Sequence, residues 1–77
     1  MDVSKVTNMS YMFYKCKKFN KDISNWNVSK GKDMCAMFQG CTSFNQDISK
    51  WNVLKVKYFT NIFSFCAINE KYEPKFK

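Results

Sequence analysis

Apolar residues recur along this chain in two alternating patterns. In the first, Met9, Met12, Phe13 and Cys16 stand at offsets of 0, 3, 4 and 7, and the same offsets return at Met34, Met37, Phe38, Cys41 and at Phe59, Ile62, Phe63, Cys66. That spacing places four side chains on one face of a helix. It predicts about two helical turns beginning near Thr7 or Asn8, near Lys32 or Asp33, and near Lys57 or Tyr58. Asn8 and Asp33 suit an N-cap, because a short side-chain oxygen can accept an unpaired amide there. Tyr58 does not, so the third helix starts less cleanly. Gly40 stands where a helix C-terminus favours a left-handed residue, but Lys15 and Phe65 take its place in the other copies.

The second pattern joins short Val-rich segments, Val3-Ser4-Lys5-Val6, Val28-Ser29-Lys30-Gly31 and Val53-Leu54-Lys55-Val56, to a preceding Asp-Ile-Ser-x-Trp-Asn-Val run. Ile23 to Trp26 is an odd step and Trp26 to Val28 an even one. One flat strand cannot turn all three to the same face, so a bend is expected between Ile23 and Trp26.

Both patterns belong to one repeat. Phe19-Asn20-Lys21-Asp22-Ile23-Ser24-Asn25-Trp26-Asn27-Val28 returns as Phe44-Asn45-Gln46-Asp47-Ile48-Ser49-Lys50-Trp51-Asn52-Val53, a shift of 25 residues. A fixed period of this length signals stacked copies that bury a common core. Cutting the chain at the period gives a single repeat domain of coils 1–25, 26–50 and 51–77. The third copy departs after Cys66: Ala67 to Tyr72 matches Ser43 to Ile48 only with one residue deleted. Pro74, which has no amide to donate, ends regular pairing, and the polar tail Glu70 to Lys77 is expected to cap the stack. Met1 falls at the position of Trp26 and Trp51, so the chain is expected to begin inside a repeat, as a fragment would. Three copies are about the minimum for such a stack. Marginal stability, self-association through open ends, or excision from a longer protein is expected.

Composition narrows the chemistry. The 77 residues carry a formal charge of +7, and all 13 cations are lysine. Without the arginine fork that reads base edges and phosphates bidentately, such a balance suits loose attraction to polyanions more than sequence readout. The absence of histidine removes the commonest general base and metal ligand. No segment has the length of a signal-peptide core or a membrane span, so the chain itself carries no visible address.

The run Trp-Asn-Val-Ser-x-x-x-x-Met-x-x-Met-Phe-x-x-Cys-x-x-Phe-Asn-x-Asp-Ile-Ser, from Trp26 through Ser49, resembles the BspA-type leucine-rich-repeat bacterial surface proteins, in particular their Trp-Asp-Val-Ser lipoprotein-repeat branch. The resemblance extends from residue 2 to about residue 69. It implies a parallel-stranded solenoid on the bacterial cell surface, used for adhesion or protein contact. Whole members of that family carry a signal or lipid anchor and many more copies, and this chain departs on both counts. The family offers no catalytic residues. Together the period and the resemblance predict an α/β fold: a short parallel-stranded, leucine-rich-repeat-like solenoid of about three coils, each a short strand plus a short helix.

Several residues invite a functional reading. Cys16, Cys41 and Cys66 fall in one row at the repeat period; three in a row cannot all pair, and neither Cys-x-x-Cys spacing nor histidine supports zinc. They are expected to be buried thiols acting as small apolar residues, with one disulfide or a metal as alternatives. Cys35, outside the row, is expected to be the most reactive. Phe13, Phe38, Phe63, Trp26, Trp51 and the methionines are expected to pack the core rather than stack on bases. Asn20, Asn45 and Asn69 recur at a turn, where stacked amides can pair along the ladder. Asp22 and Asp47 would repel on adjacent rungs unless they accept turn amides, point outward beside Lys21 and Lys50, or hold a cation. The remaining hint is a lysine column, Lys5, Lys30 and Lys55, with Lys32 and Lys57 beside it. It reads either as a solvated face that guards against aggregation or as an anion- or partner-binding stripe. The sequence therefore points to a non-enzymatic module, without cofactor or metal, that contacts a protein or glycan partner. The alternative is electrostatic binding of nucleic acid or acidic polysaccharide through the lysine column.

Overall fold

The computed structural model describes residues 2–76; Met1 and Lys77, and with Met1 the expectation about its repeat position, lie outside the described residues. Residues one period apart lie over one another in three layers, formed by residues 2–25, 26–50 and 51–76. The Phe13 and Phe38 rings stack with centroids 5.3 Å apart, and Phe38 and Phe63 follow at 5.7 Å, all nearly parallel. A second file, Phe19 over Phe44 at 5.5 Å, runs beside the first. Within a layer the two files meet face to face, at 4.1 Å for Phe13 and Phe19 and 4.5 Å for Phe38 and Phe44.

The layers are not coils of strand plus helix, and the fold is not the α/β solenoid that the spacing predicts. Among the described residues the only helix is a single 3-10 turn, Glu70–Tyr72, capped by the Asn69 side chain, and no sheet forms. Two isolated parallel bridges, Asn8 to Asp33 and Asp33 to Tyr58, are the only β pairing among the described residues. The expected helices are runs of overlapping tight turns. In residues 9–16 the amides of Met12, Tyr14 and Cys16 donate to carbonyls three residues back, at Met9, Tyr11 and Phe13. The amides between them leave the layer: Met9, Tyr11, Phe13 and Lys15 donate to the carbonyls of Asp33, Cys35, Met37 and Gln39, at 2.7–3.0 Å. Met34, Ala36, Phe38 and Gly40 repeat this one layer on, to Tyr58, Thr60, Ile62 and Ser64.

Space explains the choice. A helix is about 10 Å across with its side chains, while ladder-bonded backbones sit about 4.8 Å apart. Rings in file at 5.3 and 5.7 Å leave no room for three stacked helices. A run of turns contracts the chain nearly as a helix does, so the inward positions still recur at offsets of 3 and 4, and Met34, Met37, Phe38 and Cys41 are fully buried. The run requires left-handed backbone at two points per layer. Tyr11, Ala36 and Asn61 have φ of 61°, 55° and 58°, and Lys15, Gly40 and Phe65 have 58°, 78° and 56°. Gly40 is thus one of a column of three left-handed residues, and it is the only glycine among them.

The corners follow the sequence closely. Trp26 and Trp51 donate their amides to the carbonyls of Ile23 and Ile48, at 3.1 Å each, which closes the bend foreseen between those residues. Val6, Gly31 and Val56 close the Val-rich turns onto Val3, Val28 and Val53. The middle layer has a glycine here for want of space: a Cβ on Gly31 would stand 3.0 Å from the Met34 methyl and 3.2 Å from the Val28 carbonyl. The Trp51 indole N–H reaches back one layer to the Ile23 carbonyl at 3.1 Å and satisfies a buried polar group. In the tail, Ile48 donates to the Tyr72 carbonyl, and Asn69 donates to Asn45 as Asn45 does to Asn20. The third layer therefore resumes the register after losing one residue. The stack measures 26 × 24 × 22 Å with a radius of gyration of 11.0 Å, near the value of about 11.5 Å for a compact chain of this length.

Candidate interaction surface

Each corner is held by a side chain that accepts an amide two residues on. Asp22 and Asp47 accept from Ser24 and Ser49 at 2.9 and 3.0 Å, and the Ser49 hydroxyl adds a bond of 2.6 Å to Asp47. Asp2, Asn27 and Asn52 do the same for Ser4, Ser29 and Leu54. These Asx-turns occupy the carboxylates that repulsion would otherwise drive apart. The Ser24 hydroxyl and then its amide lower the Asp22 carboxyl below its ordinary value, and Ser49 acts likewise on Asp47. Asn8 and Asp33 also accept amides, from Ser10 and Cys35, but they open runs of turns and not helices.

The lysine column has a defined place. Lys5, Lys30 and Lys55 each occupy the third position of a Val-rich turn, one per layer, and all three are exposed. Lys32 and Lys57, also exposed, are tied directly, the Lys57 amide donating to the Lys32 carbonyl at 2.8 Å. The backbone thus brings the five predicted residues to equivalent positions of successive layers. Leu54, beside Lys55, is 77% exposed.

The cysteine row divides by layer. Cys41 is fully buried in the middle layer, where its thiol donates to the Phe13 carbonyl at 2.9 Å. Burial pushes that thiol up to about 11, and the half-buried Cys66 is raised for the same reason. Cys16, expected to be buried, is exposed because its layer has no neighbour on that side, whereas Cys35 is only partly exposed. All four thiols are free, and among the described residues no three acidic or cysteine side chains gather as metal ligands.

Two shallow depressions mark the surface. One, of about 270 Å³, is lined by Ser24, Asn25, Asp47, Ile48 and Lys50; the other, of about 340 Å³, by Lys57, Tyr58, Phe59, Thr60 and Asn61. The first holds a carboxylate already bonded to its own turn, and the second lies on the outer edge of the third layer. The repeat led to the expectation of open ends but not to the groups that line them, and of the two left-handed columns only Gly40 was foreseen, with Lys15 and Phe65 read as departures from it. Gly40 and Asn61, residue types that tolerate positive φ, were the available signal for the columns.

Among the described residues no helix is long and apolar enough to cross a membrane. No curated protein and no solved structure matches the chain. One family pattern does, described as Mycoplasma protein of unknown function, DUF285, and its match runs over residues 1–73 and so takes in all three layers. This chain belongs to the DUF285 family.

Proposed function

We propose that the protein is a non-enzymatic interaction module that meets a protein or glycan partner along the sides of the stack. The observation that carries this reading is the register of the layers, which lines up chemically like, exposed side chains at a fixed spacing, as in the lysine turns. A repeated column matches a repeated or extended ligand better than a small substrate, and the resemblance to BspA-type surface repeats and their cell-surface setting agrees with it. Leu54 adds an exposed apolar contact next to the lysines.

The lysine column favours a second reading, binding of a polyanion such as acidic polysaccharide or nucleic acid. Ionic strength separates the two. An array of neutral glycans, acidic glycans, nucleic acids and proteins is probed at low and at moderate salt. Retention at moderate salt, with loss in Leu54→Asp, supports the first reading. A steep fall in affinity with salt, its slope reduced by about one for each lysine replaced among Lys5, Lys30 and Lys55, supports the second. Absence of binding across the array at high protein concentration overturns both.

A further inference from the structure

The two outer layers carry complementary rows of backbone groups. Each inner boundary is made by amides at four alternate positions of one layer donating to four carbonyls of the next. By the same register, the third layer should donate from Phe59, Asn61, Phe63 and Phe65, and the first should accept at Asn8, Ser10, Met12 and Tyr14. Among the described residues none of these four amides donates a hydrogen bond, and none of these four carbonyls accepts one. A smaller pair completes the match. Lys32 and Asp33 both donate to the Thr7 carbonyl, and Lys57 and Tyr58 both donate to the Lys32 carbonyl. The corresponding groups at the ends are the Lys57 carbonyl and the amides of Thr7 and Asn8, which form no hydrogen bond among the described residues.

We propose that these edges bind one another in different molecules, so that a second copy of the chain adds its first layer to the third layer of the one before. The occupant follows from the match. A donor row with the internal spacing of this fold meets its complement in the acceptor row of the same fold, and unpaired backbone edges of this kind template such addition. The aromatic file supports the same register: Phe63 at one end and Phe13 at the other are both only partly buried, and docking continues the Phe13, Phe38, Phe63 series. The tail covers the donor edge at Phe59, where Phe76 stacks at 4.3 Å and is displaced when the full row pairs, while at the far end of the row Phe65 is 82% exposed. The two faces differ, so the contact is heterologous and does not close at the dimer. It is independent of the side-surface reading, since the lysine turns and Leu54 are not used.

Sedimentation and light scattering on the reduced chain, from micromolar to millimolar, test it. The expected result is a mass that rises continuously beyond the dimer. In the docked register, residue 65 of one copy faces Lys15 of the next. Phe65→Lys sets two cations together and should weaken association at least several-fold at low salt. Adding Lys15→Glu to that chain should restore it. Both side chains are exposed, and thermal melts confirm that each variant is folded. A chain that stays monomeric, a dimer that does not grow, or a Phe65→Lys variant that associates as before overturns the proposal.

Discussion

Truncating Phe38 should be far more damaging than truncating its counterpart Phe13, although the two occupy the same position in the repeat. Phe38 is fully buried and meets Phe13, Phe44, Phe63 and Trp51, at centroid distances of 5.3, 4.5, 5.7 and 6.1 Å. Phe13 is partly buried, with a file neighbour on one side only. A buried Phe→Ala change costs about 3–5 kcal/mol, including the cavity it leaves. Phe38→Ala belongs at the upper part of that range, because layers held by ladder bonds cannot close over the gap. Phe13→Ala, losing about half the contact, should cost about 2 kcal/mol. A chain of this length has a total stability of about 4–12 kcal/mol. At the lower end of that range Phe38→Ala brings the chain to the unfolding midpoint in water, and across the whole range it unfolds at clearly lower denaturant than Phe13→Ala, which stays folded. Urea denaturation followed by tryptophan fluorescence measures both. Equal losses for the two variants would refute the layered account, since position in the stack would then have no energetic meaning.

Three further outcomes follow from the backbone and the corners. Gly40→Ala should lose about 1–2 kcal/mol, because alanine is strained at φ 78° and its Cβ would meet the Lys15 Cα at 3.2 Å. The reverse change at the same repeat position, Phe65→Gly, should gain up to about 1 kcal/mol, and denaturant midpoints compare the two. Thiol labelling of the native chain should modify Cys16 first, Cys35 and Cys66 later, and Cys41 only on unfolding, as peptide mapping over time will show. The Asp22 and Asp47 carboxyls titrate lower folded than unfolded. Their contribution to stability is therefore present above the ordinary carboxylate value of 3.8 and is lost as pH falls through the depressed folded value. Asp47→Asn, which retains an acceptor oxygen for the turn, should flatten that part of the acid unfolding curve without removing the corner.

The repeat made much of this legible in advance. Period, register, the bend after Ile23, the asparagine ladder and the lysine column all depend on which residue recurs at which interval, and the sequence displays intervals directly. The single deletion in the third copy was equally plain, because Asn69 could be matched to Asn45. What the intervals could not show was the backbone that realises them. Offsets of 0, 3, 4 and 7 arise from any chain that contracts and keeps one face inward, whether its amides bond within a helix or alternate between turn and neighbour. That choice was decided by packing. Phenylalanine rings in file bring the layers too close for helices, and every second amide is then free to bind the next layer. Burial was decided the same way: Cys16, Cys41 and Cys66 are equivalent in the repeat, but only the middle one is enclosed on both sides. The sequence by itself determined what stacks on what. The tertiary structure decided how the chain travels between those points and which groups remain unpaired at the two ends, because hydrogen-bond partners and enclosure belong to neighbouring layers and not to the order of residues.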